Sequence, residues 1–142
     1  MPEAVRVVLD TNVLLSLFVF ADSRLAPLRG RLEAGELIAL TDARCLGEFR
    51  RVLAYPMFSL DDAAQRAAFE SFARRAAIVA AAADPVPLPE CRDADDQKFL
   101  EVARDGRARW LVTSDKALLR LARRRKLAHL FDIITPDQAL AR

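Results

Sequence analysis

Short apolar segments alternate with longer helix-like segments along this 142-residue chain. The segments Val5–Leu9 and Leu37–Thr41 are apolar at almost every position, which is typical of strands buried on both faces. Residues 109–113 and 131–135 show the same pattern. Because such strands alternate with helical patterns, the sequence predicts a parallel sheet that is covered by helices.

The predicted helices are placed by apolar spacing, by capping residues and by Pro and Gly at their ends. They cover residues 13–21, 26–36, 42–55, 59–76, 93–106, 115–126 and 136–142. Residues 77–82 fit either the last turns of a helix or a weak strand, and residues 84–90 form a Pro-rich connector. With no repeat and no interdomain linker in this pattern, we expect one α/β domain over residues 1–142.

The composition excludes several classes of site. Hydrophobic residues make up 53% and charged residues 30%, as in folded domains. Only 4 glycines are present, and no Gly-rich phosphate loop is found. Cys45 and Cys91 form no CxxC pair and fit reduced thiols, while a surface or packing role is expected for the single histidine, His129.

The amino-terminal apolar run is interrupted by Asp10 and Asn12. An uninterrupted apolar stretch is required for both a signal peptide and a membrane span, so we predict neither. The expected location is the cytoplasm, with no membrane partner.

Acidic residues follow two of the predicted strands. Asp10 comes directly after Val5–Leu9, and Asp115 follows residues 109–113. In open α/β sheets, ligands bind beyond the carboxyl ends of the strands, so both acids are expected at the binding edge. Each could alternatively be only the cap of the helix that follows it.

Glu48 lies inside a predicted helix, where it cannot be a cap. Cys45, Phe49 and Val52 form an apolar stripe at helical spacing, and Glu48 borders that stripe. The alternative for Glu48 is an exposed position at the edge of the stripe, paired with a nearby arginine.

Three further acids open the predicted helix 93–106. Asp96 leads into the apolar stripe that contains Phe99 and Leu100, so it is the preferred inward-facing acid. Asp93 is an auxiliary ligand or a cap, and Asp95 is solvated. If Asp10, Glu48, Asp96 and Asp115 converge, their repulsion favours a divalent cation, and an all-oxygen set suits Mg²⁺ or Mn²⁺. One or two such ions would activate water for phosphodiester cleavage.

The four segments that carry these acids resemble PIN-domain ribonucleases, among them the VapC-like toxins of bacterial toxin–antitoxin systems. The resemblance extends from Val5 to about Pro136, and its most specific parts are LDTNVLLS and VTSD. It implies a three-layer α/β/α fold with a central parallel sheet, an acidic pocket for Mg²⁺ or Mn²⁺, and cleavage of RNA. It also implies a cognate antitoxin protein as partner and, often, a homodimer.

The resemblance carries over to individual residues. Asp10, Glu48, Asp96 and Asp115 match the four acids of the family, although Asp93 and Asp95 blur the third assignment. Asn12 and Ser114 match the polar residues that support those acids.

A basic segment follows Asp115. Its charged residues are Arg120, Arg123, Arg124, Arg125 and Lys126, in a chain whose net charge is only +2. Such a run is commonly a solvated face, but Arg120, Arg123, Arg124 and Lys126 are also candidates for contact with an RNA backbone.

Three other functions compete with a ribonuclease. A phosphatase of the haloacid-dehalogenase type requires a second Asp two residues after the first, where this chain has Asn12. A receiver-like phosphoacceptor requires paired acids after the first strand and an Asp after the third, and that pattern is absent. A catalytically weak PIN-like module that binds RNA or a partner is excluded least well, since intact ligands do not prove turnover.

Overall fold

The chain folds around a parallel sheet, as the alternating pattern predicts. The computed structural model describes residues 3–142. Within them the strands are β1 (Val5–Leu9), β2 (Leu37–Thr41), β3 (Ala77–Ile78), β4 (Trp110–Val112) and β5 (Asp132–Ile134). The strand order is β3-β2-β1-β4-β5, and every pairing is parallel.

Helices connect the strands and cover the sheet. They are α1 (Thr11–Phe18), α2 (Ala26–Glu33), α3 (Ala43–Leu53), α4 (Asp62–Ala73), α5 (Gln97–Asp105), α6 (Lys116–Leu119) and α7 (Pro136–Ala141). Single 3-10 turns occur at Ser23–Leu25, Pro56–Phe58, Ala94–Asp96 and Arg125–Leu127. None of the helices in residues 3–142 has the length and apolar character needed to cross a bilayer.

Two hydrophobic clusters lie on opposite faces of the sheet. Val7 and Leu9 of β1 pack on one face, with α1, α2, α3, α4 and α7, whereas Val8 packs on the other, with α5 and α6. This alternation follows from the two-residue period of a strand. Burial on both faces explains why the strands are nearly continuous apolar runs, and it confirms the predicted α/β/α layering.

The sheet reverses its direction of growth between β1 and β4. From β1 the chain adds β2 and then β3 on one side, after which it returns to add β4 and β5 on the other. The carboxyl ends of β1 and β4 therefore flank the point where helices leave toward opposite faces, which is the usual ligand position in such sheets.

The predicted helix over residues 115–126 is wrong in length. α6 ends at Leu119, and the following amides of Leu121, Ala122 and Arg124 bond to carbonyls three residues back instead of four. The tighter turns keep Leu121 and Leu127 buried while the chain bends back toward β5. Core packing near the return to the sheet thus outweighs helix propensity in this basic segment.

The two cysteines are free and buried, as expected of reduced thiols. Burial raises the pKa of Cys45 to about 12, so its thiol stays protonated and unreactive near neutral pH.

Two glycines provide a matched test of this packing. A Cβ at Gly106 would lie 2.8 Å from Leu40 Cδ1 and 2.8 Å from Val79 Cγ2, so Gly106→Ala should destabilise the fold by about 1–3 kcal/mol through overpacking. Gly30, inside α2, has open space around it, and Gly30→Ala should stabilise by about 0.5–1 kcal/mol. Urea denaturation of both variants measures the difference, and equal midpoints would contradict this description of the core.

Candidate metal centre

Four acidic side chains line one cavity at the carboxyl end of the sheet. Asp10 directly follows β1, and Asp115 lies just beyond β4. Glu48 comes from the middle of α3, and Asp96 is the residue before α5. The cavity has a volume of about 250 Å³. The structure thus brings together on one surface the four acids that the sequence singled out.

Asp10 is the most deeply buried of the four, with 4% of its surface exposed. It caps α1, since its Oδ1 accepts a hydrogen bond from the amide of Val13 at 2.9 Å, and its Oδ2 accepts one from the Thr113 hydroxyl. The pKa of Asp10 is raised to about 6, mainly by burial; the hydrogen bonds from Thr113 and Val13 oppose this rise, and the negative charges of Asp115 and Glu48 contribute to it. Asp10 is therefore both a cap and a member of the acidic cluster.

Asp115 is fixed by the same threonine. Its amide donates to the Thr113 hydroxyl oxygen at 2.9 Å, and its Oδ1 caps α6 by accepting from the amides of Ala117 and Leu118. A single buried hydroxyl thus connects the acid after β1 with the acid after β4.

Glu48 is held by two partners. The Thr11 hydroxyl donates to Oε1, and Lys98 Nζ donates to Oε2 at 2.8 Å. This ion pair is largely shielded, because the side chains of Lys98 and Glu48 are 12% and 21% exposed. Lys98 also donates to the Asp95 carbonyl, which anchors the ammonium group beside the cavity.

Asp96 has the least compensation among the four acids. It precedes α5, yet its side chain makes no capping hydrogen bond. Its pKa is raised to about 7, first by partial burial and then by the negative charges of Asp115, Asp93 and Asp10, against a smaller lowering by Lys98. The cavity therefore contains negative charge that its protein neighbours offset only in part.

The other candidate residues lie outside the cavity or at its edge. Asp93 is exposed and caps the 3-10 turn Ala94–Asp96 by accepting from the amide of Asp95. Asn12 is exposed and lines both this cavity and a neighbouring one. Ser114 is exposed and lines only the neighbouring cavity. The basic residues Arg120, Arg123, Arg124 and Lys126 are exposed on the segment that follows α6.

Sequence reasoning missed Thr11, Thr113 and Lys98. Thr113 is fully buried although it is polar, and it makes the contacts that were expected of its neighbour Ser114. Both strands that are followed by an acid are also followed by a threonine, Thr11 or Thr113. This pattern could have identified the two threonines, since a buried hydroxyl requires a polar partner. Lys98 gave a weaker signal, because its spacing from Asp95 is that of an ordinary helical ion pair.

The donor set fits a divalent cation by its chemistry. Carboxylate oxygens are the ligands preferred by Mg²⁺ and Mn²⁺, and the raised pKa values of Asp10 and Asp96 indicate charge that a cation would stabilise. Within residues 3–142, however, no three acidic, histidine or cysteine side chains are already grouped closely enough to surround one ion. Direct ligation of one ion by three or more of these acids would therefore require side-chain movement, and Glu48 would then exchange part of its contact with Lys98.

Comparison with known proteins gives one match. A family model described as PIN domain matches residues 6–117, which include all four acids. A search of curated proteins finds no match.

The buried carboxyl of Asp10 predicts a pH-dependent stability. Its pKa is about 6 in the folded chain and 3.8 in the unfolded chain, so the folded state binds more protons between these values and loses stability as pH rises through them. The loss amounts to about 3 kcal/mol above pH 6. Asp10→Asn retains a capping side chain but abolishes this term, so it should gain stability relative to wild type between pH 4 and pH 8.

The measurement is urea denaturation in EDTA at both pH values. Asp132→Asn, which removes an exposed acid at the amino end of β5, controls for the loss of a charge elsewhere. Parallel pH profiles for wild type and Asp10→Asn would contradict the raised pKa.

Proposed function

The chain belongs to the PIN domain family, and from this premise we propose that it is a metal-dependent ribonuclease that uses Mg²⁺ or Mn²⁺. PIN domains are generally nucleases, typically with divalent metal ions, and the family implies a nucleic-acid substrate. The observation that carries the proposal is the convergence of four carboxylates on one cavity at the switch point of the sheet.

Asp10, Glu48, Asp96 and Asp115 would hold one or two ions. When bound, Mg²⁺ or Mn²⁺ supplies activation of water and neutralisation of charge at the phosphate. The protein groups provide the geometry: Thr113 fixes Asp10 and orients the loop that carries Asp115, while Thr11 fixes Glu48. One carboxylate that does not itself contact an ion would accept the proton of the water that attacks phosphorus; the bond from phosphorus to the leaving oxygen breaks, and that oxygen takes a proton from solvent. Asn12 lies at the cavity edge, where it can orient a ligand.

Lys98 has two roles in this proposal. Without a divalent ion, its ammonium offsets the charge of Glu48. If Glu48 turned toward a bound ion, the same ammonium would become available to a phosphate oxygen beside the cavity. In either state this single ammonium offsets only part of the negative charge of the four acids.

The biological role that we propose is that of a VapC-like toxin in a bacterial toxin–antitoxin pair. The support is the sequence resemblance over most of the chain. It implies a cognate antitoxin protein, a homodimer and action on RNA in the cytoplasm.

A second candidate is a PIN-like module that binds RNA with little catalysis. The ion pair between Lys98 and Glu48 favours it, because that contact uses an oxygen that a metal ligand would need. The phosphatase alternative receives no comparable support, since the matched family is the PIN domain.

The decisive experiment compares wild type with Asp10→Asn on a mixed panel of RNAs with Mg²⁺, with Mn²⁺ or with EDTA. Wild type should cleave only with metal, and Asp10→Asn should reduce the rate by at least about 100-fold, since positioning of charge is usually the largest catalytic term. Asp132→Asn should retain the wild-type rate. Cleavage in EDTA, or equal cleavage by Asp10→Asn, would contradict a metal-dependent site. RNA binding by wild type without detectable cleavage would favour the binding module.

The basic segment after α6 can be tested by salt dependence. For single-stranded RNA, each phosphate contact contributes roughly 0.7 to the slope of log affinity against log salt. The double variant Arg123→Ala/Arg124→Ala should therefore lower the slope by about 1.4 if both side chains contact phosphates. The matched control is Arg74→Ala/Arg75→Ala, an exposed pair after α4. An equal change in both double variants would indicate general attraction to a basic surface rather than contact by this segment.

A further inference from the structure

One wall of the acidic cavity is apolar and carries exposed aromatic surface. Tyr55, Met57 and Phe58 line the cavity together with the four acids, and we refer to these three residues as the apolar wall. Tyr55 is 49% exposed and Met57 is 77% exposed. Large apolar side chains so open to solvent beside a polar site are typical of ligand-binding surfaces.

Helix α3 places the apolar wall next to the acids. Glu48, Val52 and Tyr55 recur at i, i+4 and i+7, which is the spacing of one helix face, and all three line the cavity. Tyr55 comes two residues after the end of α3 and adopts an extended backbone before Pro56. The position of the tyrosine ring is therefore tied to the position of Glu48.

Within the apolar wall, Phe58 packs against the core, whereas Tyr55 and Met57 are exposed to solvent. Phe58 is partly buried in the core and contacts Phe20, with ring centroids 5.7 Å apart. The 3-10 turn Pro56–Phe58 thus rests on an aromatic pair, and Tyr55 and Met57 beside Phe58 remain exposed to solvent.

We infer that the apolar wall binds a nucleobase adjacent to the scissile phosphate of single-stranded RNA, with the base stacked on the ring of Tyr55. This inference rests on the proposed ribonuclease function. It adds a residue to that function: Tyr55, whose ring holds the unpaired base beside the phosphate that is cleaved.

Several features favour a nucleobase over another occupant. The acids and the apolar wall share a cavity of about 250 Å³, which is smaller than the ~300–1,000 Å³ of pockets that enclose a whole small molecule. One flat ring and the phosphate beside it can reach this cavity while the rest of the strand stays outside. An apolar protein segment on this wall would bring hydrophobic side chains against four carboxylates and bury those charges at a high cost.

A nucleotide has the required combination of groups. Its base offers a π-face to tyrosine, and its phosphate is the group on which a metal-loaded acidic cluster acts. In a duplex the base is paired and stacked inside the helix, so it cannot reach the wall. Single strands and loops expose their bases, and aromatic stacking is the common mode by which proteins hold them.

Tyr55 is the only tyrosine of the chain, which gives a direct probe. We would label tyrosine rings with ¹³C in full-length protein that carries Asp10→Asn, so that the RNA stays intact, and titrate with a mixed-sequence single-stranded RNA hexamer in Mg²⁺. A stacked base should move the ring resonances of Tyr55 upfield through its ring current. The matched duplex should leave them in place.

Affinity measurements on position 55 separate stacking from general apolar contact. By fluorescence anisotropy, Tyr55→Phe should bind the hexamer as the parent does, because the ring is retained. Tyr55→Leu and Tyr55→Ala should bind roughly five- to 150-fold more weakly. Val86→Ala, which shortens an exposed apolar side chain outside the cavity, is the control and should have no effect. Far-UV circular dichroism verifies that each variant is folded.

Three results would overturn the inference: equal binding by Tyr55→Leu and Tyr55→Phe, equal binding of duplex and single strand, or RNA binding without a shift of the Tyr55 resonances. A change of oligomeric state in Tyr55→Ala without any loss of RNA affinity would instead assign the wall to a second copy of the chain.

Cleavage assays separate this inference from the proposed function. They use protein that retains Asp10. If wild type cleaves single-stranded RNA and Tyr55→Ala has an unchanged KM, the ribonuclease stands and the base site fails. If wild type does not cleave but the Tyr55 resonances shift with single-stranded RNA, the base site stands and the ribonuclease fails. With both correct, Tyr55→Ala raises KM while kcat changes little, because the ring binds a part of the substrate that does not react.

Discussion

The Thr113 hydroxyl holds the candidate site together. It donates to Asp10 at the end of β1 and accepts from the amide of Asp115, just beyond β4. The two strands are neighbours in the sheet, with Leu9 paired to Val112, so the hydroxyl extends their pairing by one step beyond the last strand residue. Since Thr113 has no exposed surface, water does not compete for these bonds. Both strand-end acids are thus fixed at the switch point of the sheet before any ligand binds.

The clustered carboxylates of the cavity lower the stability of the folded chain, and the same clustering favours the proposed function. Four carboxylates in one cavity repel each other, and the fold offsets only part of that repulsion. Glu48 has Lys98 and Thr11, Asp10 has Thr113 and the amide of Val13, and Asp96 has no cap contact. A structural ion-pair network would be better balanced, since an uncompensated buried charge destabilises a fold. Such an imbalance fits the proposed cation site, because a bound cation would supply the missing positive charge.

The sequence predicted the parallel sheet and the meeting of four acids at one edge of it. The physical reasons for these predictions also explain where other predictions failed. Val5–Leu9 and Leu37–Thr41 were predicted to the residue because strands buried on both faces leave an unambiguous apolar run. Asp10 and Asp115 were placed by topology, since parallel strands end at one edge. The length of α6 was wrong because the tertiary burial of Leu121 and Leu127 is not encoded in local propensity. Ser114 was predicted to support the acids, whereas Thr113 makes these contacts. The side chains of successive residues point in different directions, and the sequence alone does not show which one points inward.

Helix α3 explains why an acidic cluster and an apolar wall meet in one cavity. Its buried residues Cys45, Phe49 and Leu53 fix the rotation of the helix against the core. That rotation places Glu48 and Val52 at the cavity and directs the chain beyond Leu53 so that Tyr55 follows on the same side. A change that rotated α3 to improve the ligand geometry of Glu48 would therefore also displace the Tyr55 ring. The proposed chemistry at the phosphate and the proposed recognition of an adjacent base would then be coupled through one rigid element, and selection on either would constrain the packing of the other.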